Sequence, residues 1–139
     1  MTAMILHLPD AVRALLDDVN PAVLATIQPD GSPQTSVVWV GRDGDDVLIS
    51  SQEGRRKIKN IRADARVSLT VHDRDDPDVY AEIRGTATVA EDAGRALAVA
   101  LAESYEGEGA GQEYLDLPPE KVRVAVRITP TKIVGTATR

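Results

Sequence analysis

A short basic segment that follows a predicted strand has the clearest chemical potential in this sequence. Five cationic side chains fall within eight positions, in a chain whose formal net charge is −6. A helix N-terminus favours negative charge through its free N–H groups and its dipole, and nearby cations add charge-assisted hydrogen bonds. The segment therefore predicts an anion-binding site, with a solvated basic helix face as the simpler alternative. Its cationic residues are Arg55, Arg56, Lys57, Lys59 and Arg62.

The elements that must position these cations can be read from the surrounding residues. Residues 47–51 form an apolar run of strand length, and the connector 52–54 ends in Gly54. Residues 55–63 then have helical character, with Ile58 and Ile61 spaced to share one face. Ser50 and Ser51 close the strand and could add hydroxyl donors. This strand–turn–helix unit would present Lys57 from an exposed helix surface beside the strand end.

Several other kinds of functional site find little support in the sequence. The chain has no cysteine, so thiolate metal sites and cysteine nucleophiles are excluded. His7 and His72 are the only histidines and lie far apart in sequence, which disfavours a metal site. The acidic loop 73–78 lacks the glycine and terminal glutamate of an EF-hand, and no nucleophile elbow is present. We therefore predict no metal site and no catalytic side chain of the hydrolase type.

Length and charge limit the class of protein further. With 139 residues the chain predicts a single domain, residues 1–139, with a core of Val, Ile, Leu and Ala because Phe is absent. The acidic balance argues against nucleic acid as a partner, since a phosphate backbone needs a broad basic surface. No apolar run approaches the length of a membrane span, and residues 1–7 lack a basic leader. We expect a soluble, cytoplasmic protein.

The remaining pattern is mainly β. Glycine-containing turns at 29–32 and 42–45 separate short apolar or alternating runs, which is typical of hairpins. Two further amphipathic segments predict helices over 8–18 and 92–105, the latter with Asp92 as its N-cap. We expect a mainly β (α+β) fold in which three short helices flank six mostly antiparallel strands, in a small barrel or sandwich. The predicted strands are 22–27, 33–40, 46–51, 65–72, 79–90 and 122–128, with 133–134 as a possible extension.

The order and spacing of these elements resemble the split β-barrel of the pyridoxamine 5′-phosphate oxidase-like superfamily, the FMN-binding split-barrel type. The similarity is carried by the strand 22–27, the turn 29–33, the strand segment 36–39 and the basic helix with the strand after it. It covers residues 8 to about 90 well and the remainder by element order. Within the superfamily, the chain looks most like the short actinobacterial branch that uses the deazaflavin coenzyme F420. One departure is that residues 133–139 lack the arginine-containing substrate motif of true pyridoxamine phosphate oxidases, so oxidation of a B6 vitamer is not expected.

The resemblance implies roles for particular residues. Lys57 matches the lysine that holds the cofactor phosphate, Arg55 a second phosphate-side base of the deazaflavin branch, and Arg56 the arginine of the flavin branch. Ser50 and Ser51 match the strand end near the ribityl phosphate. Residues 33–39 match the strand along the tricyclic ring. From that strand the expected cofactor contacts are Pro33, Ser36, Val38 and Trp39, although Trp39 could equally be a packing residue.

The function that the resemblance implies is a homodimeric oxidoreductase with its cofactor bound between subunits. Reduced F420 would transfer a hydride to a small unsaturated or conjugated acceptor, and the chemistry would belong to the cofactor rather than to a catalytic side chain. Two alternatives remain at this stage. One is an FMN-dependent reductase that uses the same site, and the other is a flavin- or deazaflavin-binding carrier with no substrate of its own.

Overall fold

The turns predicted from glycine and proline separate strands that pair into one curled antiparallel sheet. The computed structural model describes residues 6–139, so the expectation about a leader at residues 1–7 falls largely outside the described residues. The strand order in the sheet is β2-β1-β5-β6-β7-β4-β3. This arrangement is the expected split β-barrel. Its strands are β1 (Ala22–Ile27), β2 (Pro33–Val38), β3 (Val40–Asp43), β4 (Asp46–Gln52), β5 (Arg66–His72), β6 (Tyr80–Glu91) and β7 (Arg123–Val134).

The described chain has one strand more than the six expected, because the predicted strand 33–40 is divided at Trp39. Before Trp39, β2 pairs with β1, and after it β3 pairs with β4. The chain therefore changes partners at this residue and contributes to both ends of the sheet order. At the other end of the sequence, β7 continues through the predicted extension as far as Val134, with a shift of its register against β6 between Arg84 and Gly85.

Alternation along the strands builds the core. In β4, Val47 and Ile49 are buried while their neighbours are only partly covered, and β5 and β6 repeat the pattern. The core consists of aliphatic side chains, as the absence of Phe requires. Burial of alternate apolar side chains fixes strand register, because a slip by one residue would expose the whole set. The strand ends around the cleft described below are held by this register.

The helices pack on the sheet through short apolar faces. The described helices are α1 (Asp10–Asp17), α2 (Arg56–Ala63), α3 (Ala96–Glu106) and the unpredicted α4 (Gln112–Leu115), with 3₁₀ turns at Ala93–Arg95 and Thr136–Thr138. Asp92 is buried and accepts hydrogen bonds from the amides of Leu97 and Ala98, each at 3.0 Å, so it caps α3 from before its first turn. Leu101 is buried, as predicted, whereas Leu97 is only partly covered.

Within residues 6–139, every helix is too short or too polar to span a membrane.

Candidate functional site

A cleft of about 190 Å³ opens where α2, the β2–β3 junction, α3 and the start of β7 come together. Its walls combine apolar side chains with two cations, and that combination suits a molecule with both an anionic group and a flat apolar part. The lining residues are Val37, Val38, Trp39, Ser50, Lys57, Ala98, Leu101, Tyr114 and Arg123.

Helix α2 places Lys57 in this cleft. Gly54 adopts a positive φ of 93° in the turn that precedes the helix, a conformation that glycine tolerates without strain. Ile58 and Ile61 are buried beneath the helix and fix its rotation. Asn60, also buried, donates from Nδ2 to Thr26 Oγ1 at 3.0 Å and so ties the helix to β1. The helix is thereby held with Lys57 directed at the cleft.

Lys57 is not the exposed helix lysine that the sequence suggests. It is half-buried, and its Nζ donates to Ser36 Oγ at 3.1 Å. Its pKa is lowered from the ordinary value, first because burial disfavours the charged form and then because Arg55 and Arg123 repel it. Among the described residues no carboxylate forms an ion pair with Lys57. A half-buried cation with no counter-ion is suited to bind an anion.

Arg123 is a second cation in the cleft that sequence reasoning missed. One of its terminal nitrogens (Nη2) donates to Ser50 Oγ at 2.9 Å, and its guanidinium carbon lies 5.0 Å from the centre of the Tyr114 ring. Its Nε is buried and has no hydrogen-bond partner in the part of the chain that the structure describes. Burial is the main reason that the pKa of Arg123 is lowered from its ordinary value. The sequence gives only a weak signal that Arg123 belongs to the site. Arg127 occupies an equivalent alternating position on the same strand, yet it pairs with Asp43 and Asp46.

The structure gathers some of the predicted contacts and separates others. Ser50, Val38 and Trp39 line the cleft, and Ser36 reaches it through its hydrogen bond with Lys57. Ser51 is buried on the other side of β4 from Ser50, with Val47 and Ile49, because successive strand residues face opposite sides.

Three further predicted contacts lie outside the lining of the cleft. Arg55 is the exposed N-cap residue of α2, near enough to Lys57 and Arg123 to lower the pKa of both. Arg56 is exposed beside the turn at residues 28–30, and Pro33 borders a separate hollow between β1 and β6. Neither Arg56 nor Pro33 shares a hollow with Lys57.

Trp39 occupies a position that suits either of the roles that the sequence left open. Its ring lines the cleft and also stacks on Tyr105, with ring centres 5.3 Å apart and planes inclined by 17°. The Tyr105 hydroxyl donates towards the carbonyl oxygens of Asn20 and Val40, and accepts from the Val40 amide at 3.0 Å. The hydroxyl thus satisfies backbone groups where the chain changes strand partners, and the ring supports Trp39 from behind.

Comparison with known proteins places the chain in a family. The profile of the pyridoxamine 5′-phosphate oxidase family matches residues 8–137, and the chain belongs to that family. This result confirms the resemblance read from the strand and helix order. Membership supports an oxidoreductase-like protein that binds a flavin or a deazaflavin.

Solved structures agree with this assignment. The chain is similar to an F420 reductase, with 31% identity, a TM-score of 0.78 and coverage of 91% of this chain and 98% of that one. It is also similar to the conserved hypothetical protein Rv2991 from Mycobacterium tuberculosis, with 26% identity, a TM-score of 0.74 and coverage of 95% and 86%. General Stress Protein 26 from Bacillus anthracis shares the fold, with 20% identity, a TM-score of 0.66 and coverage of 89% of each chain.

Proposed function

We propose that this protein is an F420-dependent oxidoreductase whose cofactor occupies the cleft between α2 and the β2–β3 junction. The observation that carries the proposal is the pair of half-buried cations, Lys57 and Arg123, beside the apolar wall that includes Trp39. Neither cation has a carboxylate partner in the described chain, so an anionic ligand would offset the free-energy cost of their burial. The similarity to an F420 reductase supports the deazaflavin over other cofactors.

The phosphate of the cofactor would lie at the start of α2. Lys57 Nζ would hold it directly, with Arg55 adding positive charge from the N-cap position. Within residues 6–139 no side chain caps this helix end, which leaves its first amides available to an anion. Arg62 does not take part, because it pairs with Glu53 at 2.8 Å.

The ring would lie along the wall formed by residues 37–39. Val38 and Trp39 offer an apolar surface there, and Trp39 is held rigid by its stacking on Tyr105. When bound, reduced F420 would supply a hydride to an unsaturated or conjugated acceptor. The residues of the chain would bind the phosphate, orient the ring and exclude water, while the proton for the acceptor could come from solvent.

A homodimer with a shared site completes the proposal. Val37 is 71% exposed and Val23, its partner across the β1–β2 pair, is 43% exposed. Exposed apolar pairs of this kind are suited to a protein interface. Because Val37 also borders the cleft, a partner subunit docked here would close the site from outside and could supply substrate-binding residues.

Parallel titration with F420 and FMN tests the proposal. Trp39 is the only tryptophan in the chain and borders the cleft, so its fluorescence should fall as either cofactor binds. We expect saturable quenching by F420, followed by turnover when reduced F420 and a conjugated enone or dye acceptor are added. Tight binding without turnover of any acceptor would favour a carrier, and turnover with FMN alone would favour an FMN reductase. If the protein binds neither F420 nor FMN, the proposal is refuted.

A further inference from the structure

The two cations of the cleft are held by different strands. Lys57 Nζ is tethered to Ser36 in β2, whereas Arg123 is tethered to Ser50 in β4. These strands are separated in the sheet order and approach each other only through the curl of the sheet. Lys57 and Arg123 nevertheless line the same cleft, so the two charges face a common space. The cleft therefore presents two anchored positive charges to its ligand.

The hydrogen bonding of Arg123 is incomplete. A guanidinium has five N–H donors, and among the described residues only the bond to Ser50 Oγ uses them. Over residues 6–139, the buried Nε has no hydrogen-bond partner and no carboxylate forms an ion pair with the group. An arginine that merely stabilised the fold would be expected to find an acidic partner, as Arg127 does on the same strand.

The position of Arg123 is also fixed in advance. Its guanidinium packs over the Tyr114 ring of α4, and the carbonyl oxygen of Tyr114 accepts a hydrogen bond from Arg95 at 2.9 Å. Arg95 also donates to the carbonyl oxygen of Pro118 at 2.8 Å, so it holds both ends of the segment that covers Arg123. Little side-chain freedom would then be lost when Arg123 binds a ligand.

We infer that Arg123 binds a second anionic group, of the carboxylate class, on a molecule that occupies the cleft. The inference rests on the proposed function, in which Lys57 takes the cofactor phosphate. The planar guanidinium can offer two parallel N–H donors to a carboxylate or to a phosphate, which a lysine cannot do. Because the cofactor phosphate is assigned to Lys57, the group assigned to Arg123 is a carboxylate. Two molecules could carry this group: F420, which has an anionic tail beyond its phosphate, or an acceptor substrate with a carboxylate of its own.

The first arm of the test measures cofactor affinity by Trp39 quenching in Arg123→Gln and in Lys132→Gln. Lys132 is the matched control, because it is an exposed cation at the far end of the same strand. If the tail of F420 is the partner, Arg123→Gln should weaken F420 binding roughly 10- to 150-fold, the usual effect of losing a hydrogen bond to a charged group. FMN, which has no second anionic group, should lose less than about threefold. Arg123→Lys keeps the charge but not the two parallel N–H donors of the guanidinium. This variant should retain the fold and bind F420 more tightly than Arg123→Gln but less tightly than the wild type.

The second arm applies if F420 affinity is unchanged. With the cofactor-loaded protein, a conjugated enone that carries a carboxylate is compared with its methyl ester. Arg123→Gln should then raise KM for the acid and leave KM for the ester unchanged. The inference is overturned if Arg123→Gln matches Lys132→Gln in both arms. It is also overturned if Arg123→Gln weakens the binding of F420 and of FMN equally. That result would mean that Arg123 contacts the phosphate common to both cofactors, or that it acts only through a diffuse charge effect. If the wild-type protein binds neither F420 nor FMN, the proposed function itself fails, and the inference falls with it.

Discussion

Removal of the Lys57 ammonium is the most informative single change in the proposed phosphate site. Lys57 is half-buried, faces the cleft, and has one hydrogen bond to a neutral hydroxyl, at 3.1 Å from Ser36 Oγ. Lys57→Ala would remove a hydrogen bond to the charged phosphate, which is typically worth about 1.5–3 kcal/mol. Cofactor affinity should therefore fall roughly 10- to 150-fold, since about 1.4 kcal/mol corresponds to a factor of ten. Quenching of Trp39 fluorescence by the cofactor measures this loss directly.

Lys59→Ala is the matched control for Lys57→Ala. Lys59 carries the same charge on the same helix, but it is exposed and lies outside the cleft lining. Its removal should weaken cofactor binding by no more than about threefold, through long-range electrostatics alone. Equal losses from the two substitutions would refute the specific role of Lys57 and leave only a diffuse positive field around α2.

Because the pKa of Lys57 is lowered, Lys57→Ala should also change how the free energy of unfolding depends on pH. Where the folded-state pKa lies below the unfolded one, the unfolded chain binds more protons between the two values, so the free energy of unfolding rises with pH across that window. At lower pH both states are charged, and the folded state bears the full cost of burying the ammonium. Lys57→Ala without cofactor should therefore be at least as stable as the wild type at neutral pH. It should also lack the wild-type gain on approach to the ordinary lysine pKa of 10.5. Chemical denaturation at several pH values checks both statements, and a clear loss of stability at neutral pH would contradict them.

Three further predictions follow from the same structure. F420 should bind more tightly than FMN, because the positive charge of the cleft exceeds what one phosphate requires; equal or tighter FMN binding in parallel titrations would count against the deazaflavin. Sedimentation at micromolar concentration should show twice the chain mass of 14.9 kDa, and a monomer with full cofactor affinity would exclude a shared site. Tyr105→Phe keeps the stacking on Trp39 but leaves the Val40 amide without the Tyr105 hydroxyl, so the free energy of unfolding should fall by about 1–3 kcal/mol; an unchanged denaturation midpoint would contradict that role.

Much of the fold could be predicted because its signals are local. Alternation of apolar residues marks β5, β6 and β7, and the glycine turns mark the β1–β2 and β3–β4 hairpins. The partner change at Trp39 has no such signal, since apolar residues continue through it while β2 forms a hairpin with β1 before it and β3 forms a hairpin with β4 after it. The extra strand in the described sheet comes from this change of partner.

The site was predictable only in part, for a related reason. Lys57 could be predicted from the charge and position of the basic helix. Trp39 could be predicted from its place in the expected strand 33–40. Arg123 enters the cleft because β7 pairs with β4, which brings it beside Gln52 in register and within reach of Ser50. The resemblance implies the same role for Ser50 and Ser51, but neighbouring residues of a strand face opposite sides, and the burial of Ser51 follows from that geometry.

A crystal structure of the protein with F420 bound would test the central claim most directly. The account predicts the cofactor phosphate within hydrogen-bond distance of Lys57 Nζ, about 2.7–3.2 Å, with the ring against Val38 and Trp39. A phosphate bound elsewhere, with the cleft beside Lys57 and Arg123 left open, would contradict it.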